Sequence, residues 1–217
     1  MHIPDGFLSL AVWSGTGAVS IAAVALSVKK AKLQENSSQI PLIGIVTAFI
    51  FAAQMINFPV AGATSGHLAG GVLAAILFGP WLATLIMAAV IIIQSLFFQD
   101  GGITAIGANL LNVGVIAPWL GYIIYKLVEN SKSKMLKSVG IFFAAWISLL
   151  AAAVAVSLEL YLSGIIGLGV ALKAMVTWHS IIGIGEGIIT VVVVNYLLKR
   201  EDQPFLLPGQ KGGLNHE

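Results

Sequence analysis

No cysteine occurs anywhere in the 217 residues, which removes disulfides, thiolate metal sites and cysteine nucleophiles from consideration. Charge is nearly as scarce, with lysine, arginine, aspartate and glutamate together making 9% of the chain. An ordinary soluble domain carries about a quarter. There is no G-x-x-x-x-G-K-[ST] run, so the chain lacks a P-loop for ATP. H-E-x-x-H is missing too, which argues against an intramembrane zinc protease. Nothing basic precedes the first apolar stretch, so the opening does not read as the head of a secretory signal.

Apolar residues fill the space. They make 58% of the sequence, and the mean hydropathy is +0.97. Several stretches run for about 18 or more residues without a charge, long enough to cross hydrocarbon. The expectation is an all-α integral membrane protein of the plasma (inner) membrane, crossing it several times. Twenty-four glycines suit a bundle whose helices approach closely in lipid. Helices are expected over 7–28, 41–57, 104–126, 138–162 and 169–198, with loops at 57–66 (NFPVAGATSG) and 99–102 (QDGG). Residues 1–200 read as one membrane-embedded domain, and the polar, Gly- and Pro-containing 201–217 as a flexible cytoplasmic tail.

The run 67–98 decides the topology. As one helix it would be about 48 Å long, too long for the bilayer core unless steeply tilted. Gly79-Pro80 splits it, because proline disfavours helical geometry in the residue before it. The first piece, 67–78, would then be only about 18 Å long and could not span alone. Counting it out and back gives seven transmembrane helices, one of them short. Ten of the eleven basic residues then share one side, leaving Lys173 opposite. The positive-inside rule favours that arrangement. It puts the amino terminus and the loops at 57–66 and 99–103 outside, and the tail in the cytoplasm.

On this topology His2 and His67, two of only four histidines, both lie at the outer face, with Thr64 and Ser65 as caps for a helix opening at His67. A lone interfacial histidine is commonplace, and a second residue on a frayed end needs no role. Together they offer more. A free amine at Met1, the His2 backbone nitrogen and the His2 imidazole are three donors linked by small chelate rings, so binding the first makes the others nearly intramolecular. His67 would complete four nitrogens in a plane. A bulky second residue normally leaves the initiator Met in place, and Pro4 and Gly6 turn the segment back between the helix ends. Planar all-nitrogen geometry suits Ni(II) or Cu(II), then Co(II), and Zn(II) less. The imidazoles must be neutral to bind, so affinity is expected to fall below about pH 6.5.

The opening MHIPDGFLS, the GATSGHLAGG around His67 and WHSIIGIGEGIIT (178–190) resemble the CbiM/NikM family. These are the substrate-binding membrane (S) subunits of energy-coupling-factor importers for cobalt and nickel, and the likeness runs from residue 1 to about 200. It implies a seven-helix fold, a metal site at Met1, His2 and His67, and nickel(II) or cobalt(II) as transported substrate rather than resident cofactor. It also implies partners: a transmembrane coupling (T) subunit, cytoplasmic ATPase subunits and a small accessory membrane subunit. MHIPDG is more similar to nickel-type than to cobalt-type members. No enzymatic activity is expected.

Other residues leave alternatives open. His179 and Glu186, seven apart on one helical face, read either as a buried polar pair fixing the last helix or as groups beneath the metal or along its exit. Asn109 and Asn112 read as interhelical hydrogen bonders, Glu159 as interfacial, and His216 as solvated. Ala11, Gly15, Ala18, Ala22 and Ala25 form a stripe of small residues that serves either internal packing or partner docking. The rival reading, a stand-alone ion-coupled metal permease, is disfavoured because Glu186 is the only carboxylate expected to be buried.

Overall fold

A computed structural model describes residues 1–31, 39–60 and 64–198. The expected tail at 201–217, His216 and the basic cluster Lys199, Arg200 and Lys211 lie outside the described residues. The helices follow the apolar runs: α1 Leu10–Lys30, α2 Ile40–Gln54, α3 Gly71–Phe78, α4 Pro80–Phe97, α5 Ile106–Leu110, α6 Ala117–Lys126, α7 Lys134–Leu162 and α8 Leu168–Leu198. A π-helical turn, Leu111–Ile116, joins α5 to α6. Five helical stretches among the described residues are long and apolar enough to cross a membrane, counting Ile106–Lys126 as one.

Local chemistry sets the boundaries. Pro41 and Pro80 sit in the first turns of α2 and α4, where the missing N–H costs nothing. Lys29 and Lys30 close α1, their charges complementing the carbonyl end of the helix. Gly79, at φ +83°, breaks α3 from α4 at the Gly-Pro pair, as expected. Pro118 in the first turn of α6 supplies no N–H to the preceding turn, and the backbone widens there into the π segment.

The eight-residue α3 lies at the centre, with Gly71 through Leu77 all buried. It packs between α4 and α6 and touches α8, while α7 and α8 pair along their length. By contrast α1 shows most of its surface, meeting the bundle through close approach of Gly17 to Gly107 and a 2.6 Å bond donated by Ser20 Oγ to the Gly107 carbonyl.

Three expectations change. Within the expected 57–66 loop, β1 Phe58–Val60 pairs antiparallel with β2 Thr64–Gly66. No helix opens at His67: α3 begins at Gly71, so Thr64 and Ser65 are not its caps. Glu159 is buried rather than interfacial, because the π turn presents Asn112, whose Nδ2 donates to Glu159 Oε2 at 2.7 Å. Glu186 is therefore not the only buried carboxylate.

Candidate metal centre

The amino-terminal segment is not frayed. Met1, His2 and Ile3 are 0%, 2% and 0% exposed, seated in the mouth formed by β2, the 99–104 loop and α5. Each buried polar group of this segment needs a partner, and the sequence supplies one for nearly all. Ile3 N–H donates to Asn109 Oδ1 at 2.8 Å, and the Ile3 carbonyl accepts from Asn109 Nδ2 at 3.1 Å and from Gly102 N–H at 2.9 Å. Thr64 Oγ1 donates to the His2 carbonyl at 3.2 Å. Asp5 closes the turn by accepting from the Thr104 hydroxyl at 2.6 Å and from the Thr104 and Ile103 N–H groups at 2.7 and 3.0 Å. Those bonds, led by the Thr104 hydroxyl, hold its carboxyl below the usual 3.8. Gly102 admits the segment: a Cβ there would overlap the Asp5 and Pro4 backbone.

The two main-chain nitrogens that a terminal chelate would use point at one atom. The Met1 amine and the His2 N–H both donate to Ser65 Oγ, at 3.2 and 3.0 Å. The His2 and His67 rings lie 4.3 Å apart, centroid to centroid. His67 is 1% exposed, and its Nδ1 contacts the Leu68 carbonyl at 2.7 Å, which fixes the proton there and leaves Nε2 as a lone pair. Among the described residues, that Nε2 has no hydrogen-bond partner, and neither has Nε2 of His2. Nδ1 of His2 has Asp100 Oδ1 at 3.1 Å, an ion-pair separation without the alignment of a hydrogen bond. Unpartnered buried nitrogens are uncommon in proteins, and here they gather.

The electrostatics keep these donors ready. Burial pushes the Met1 amine well below its ordinary 8.0, with Asp100 opposing. Burial likewise lowers His2 from 6.5 against the pull of Asp100. His67 falls well below 6.5, through burial first, then the charge of the amine and of His2. Burial would raise Asp100, but His2, the amine and Asn57, which donates at 2.8 Å, outweigh it and hold the carboxyl below 3.8. Two imidazoles, two main-chain nitrogens and one nearby carboxylate can thus replace the water of a divalent ion.

The sequence-expected site residues Met1, His2 and His67 are therefore neighbours. Asn109 serves the terminal segment rather than a facing helix, whereas Asn112 does bond to a facing helix, through Glu159 of α7. Ser65 and Asp100 are functional candidates that sequence reading did not see as such. Their only signal is position: Ser65 lies two residues before His67, and Asp100 is the one acid of the 99–104 loop. His179 is wholly buried on α8, its Nδ1 against the Met175 carbonyl at 2.8 Å and its Nε2 unpartnered. Glu186 accepts from the Ala69 and Gly70 N–H groups at 2.8 and 2.7 Å.

Comparison with known proteins points the same way. The chain is 43% identical to an Archaeoglobus fulgidus protein assigned as a fused nickel transport protein, NikMN, over 91% of this chain and 65% of that one. It thus spans just under two thirds of that relative's length. The crystal structure of a truncated transition metal transporter superposes with a TM-score of 0.84 at 35% identity, over 92% of this chain and 99% of that chain. The S component of a bacterial energy-coupling-factor transporter shares the fold at a TM-score of 0.57 and 19% identity, over 77% and 99% of the two chains. The family described as the cobalt uptake substrate-specific transmembrane region, CbiM, matches residues 2–204, and the chain belongs to it.

Proposed function

We propose that this chain captures Ni(II) or Co(II) at the outer face of the plasma membrane, as the substrate-specific subunit of an ATP-driven energy-coupling-factor importer. The ligands are the Met1 amine, the His2 main-chain nitrogen, the His2 imidazole and the His67 imidazole. The observation that carries this is the convergence of Met1 N and His2 N on Ser65 Oγ beside two buried imidazoles, His67 with Nε2 and His2 with Nδ1 lacking a hydrogen bond among the described residues. Amine and amide nitrogens close a five-membered ring with a metal, and only Nδ1 of His2 can close the next, six-membered one. That atom faces Asp100, so a bound ion would replace the carboxylate as its partner and leave a negative charge nearby. Four nitrogens in a plane favour Ni(II) and suit Zn(II) less.

Seven crossings, with the amino terminus outside and the carboxyl terminus in the cytoplasm, fit this role. An eight-residue α3 is about 12 Å long and reaches the bilayer interior without traversing it. A coupling membrane subunit, cytoplasmic ATPases and a small accessory membrane subunit complete the importer, since ATP binding has no P-loop here. The stripe Ala11, Gly15, Ala18, Ala22 and Ala25 is exposed along its whole length, which favours a docking surface over internal packing. The test is nickel titration of the purified chain beside a version with one residue added before Met1. The extended protein should stay folded and lose high-affinity binding, together with the yellow, diamagnetic spectrum of four-coordinate Ni(II). Equal affinity in both would overturn the chelate.

A further inference from the structure

The stretch from His67 to Gly70 is irregular backbone inside a helical bundle, and it carries a proposed ligand. Irregular backbone at such depth persists only where its polar groups are satisfied. Three of the bonds that do this come from two other helices. Glu186 Oε2 and Oε1, on α8, accept from Ala69 N–H at 2.8 Å and Gly70 N–H at 2.7 Å. Gln54 Nε2, at the end of α2, donates to the Ala69 carbonyl at 2.5 Å. Ala69 is thus held on both sides. Gly70 makes the hold feasible: it sits at φ +72°, and a Cβ there would press into Ile50 of α2. The cavity beside Glu186, lined by Phe49, Ile50, Leu68 and Thr190 among others, is about 10 Å³, room for at most one water. The two N–H groups, at the amino end of α3, therefore replace the carboxylate's hydration.

We propose that Glu186, with Gln54, is a positioning residue for the metal: the pair clamps Ala69 and Gly70 so that His67 presents Nε2 in the plane of the terminal chelate. The inference rests on the ligand set proposed above. Groups that orient a ligand at one remove typically change metal affinity about 10–100-fold when lost. The clamp also ties the outer site to the relative placement of α2 and α8. A displacement of α8 that stretches these bonds beyond 3.5 Å breaks them and frees the fourth donor.

The test is a double-mutant cycle read by copper(II) titration of the full chain in detergent, copper being chosen because its affinity leaves a three-nitrogen site measurable. Glu186→Gln keeps the size of the side chain but turns an amide donor toward one of the two N–H groups. In the otherwise native chain it should weaken binding about tenfold or more. In a His67→Ala background it should change affinity by less than about threefold, because the ligand it positions is gone. Equal losses in both backgrounds would mean that Glu186 only stabilises the bundle, and no loss in the native background would mean the clamp does not position His67. Should Glu186→Gln fail to fold, Gln54→Met, which removes the donor to Ala69 at similar volume, is read in the same cycle. A His67→Ala change that alone leaves affinity untouched would instead sink the ligand set.

Discussion

Single atoms decide the behaviour of the site toward protons. The Met1 amine, His2 and His67 all lie below their ordinary values of 8.0 and 6.5 because they are buried. The sequence-based expectation placed acid loss of affinity at about 6.5; the shifts move that loss to lower pH. Near neutral pH the ion therefore displaces the proton on the His2 amide and fewer others than an exposed amine and two exposed imidazoles would release. Nickel affinity should therefore fall less steeply between pH 8 and 6.5 than for the same terminus in a short exposed peptide, and steepen at lower pH. A steeper slope already near pH 8 would contradict the burial of the amine. Stability follows the same sign. The unfolded chain binds more protons below 8.0 and 6.5 than the folded one, so stability rises with pH and acid unseats the segment. At this scale the sequence revealed donors but not acceptors. Histidine at position two suggests a chelate by its chemistry alone, whereas Ser65 and Asp100 enter the proposed site only through where the backbone delivers them.

Among the elements, the amino-terminal segment, the β1–β2 ribbon and α3 form the working unit. Asn109 on α5 holds Ile3 by two bonds, at 2.8 and 3.1 Å, and substitution by leucine removes both at similar volume. Leaving the Ile3 N–H without that acceptor costs about 1–3 kcal/mol, enough to weaken nickel binding about 5–150-fold. Limited proteolysis of the amino terminus should become faster in parallel. Unchanged affinity in Asn109→Leu would mean that the segment is held mainly by Asp5 and Gly102. The break at Gly79-Pro80 was legible in the sequence because proline chemistry is local. The ribbon at 58–66 was not, since three-residue strands fall below any periodic signal and Pro59 and Gly66 read as breakers. The late start of α3 was hidden for a related reason. What holds the two N–H groups just before it is Glu186, more than a hundred residues away.

At the scale of the whole molecule, α1 stands apart. Its buried residues are only Ser20 and Ser27, while its small-residue stripe and several large apolar side chains face outward. Replacing Ala18 and Ala22 with leucine should block assembly with a coupling membrane subunit and abolish uptake. Nickel binding by the isolated chain should remain within about twofold, because neither residue touches the site. Joint loss of binding and assembly would assign the stripe to folding instead. Apolar length and glycine content made the helices legible, but which face of α1 is left uncovered depends on contacts that no local pattern encodes.

On the proposed ligand set, Met1, His2 and Ile3 are both the ligand-bearing segment and the stopper of the mouth it fills. An ion cannot reach nitrogens that are themselves buried until that stopper lifts. Capture as proposed would then be timed by the protein rather than by diffusion, and raising the outside metal concentration would accelerate it only until lifting becomes the slow step. The same arrangement works in reverse after loading: the ion holds down the segment that covers it, so departure to the outside requires breaking the coordination and the lid together. Escape backwards is slow for the same reason that arrival is, which gives the chain time to meet whatever opens it from the other side.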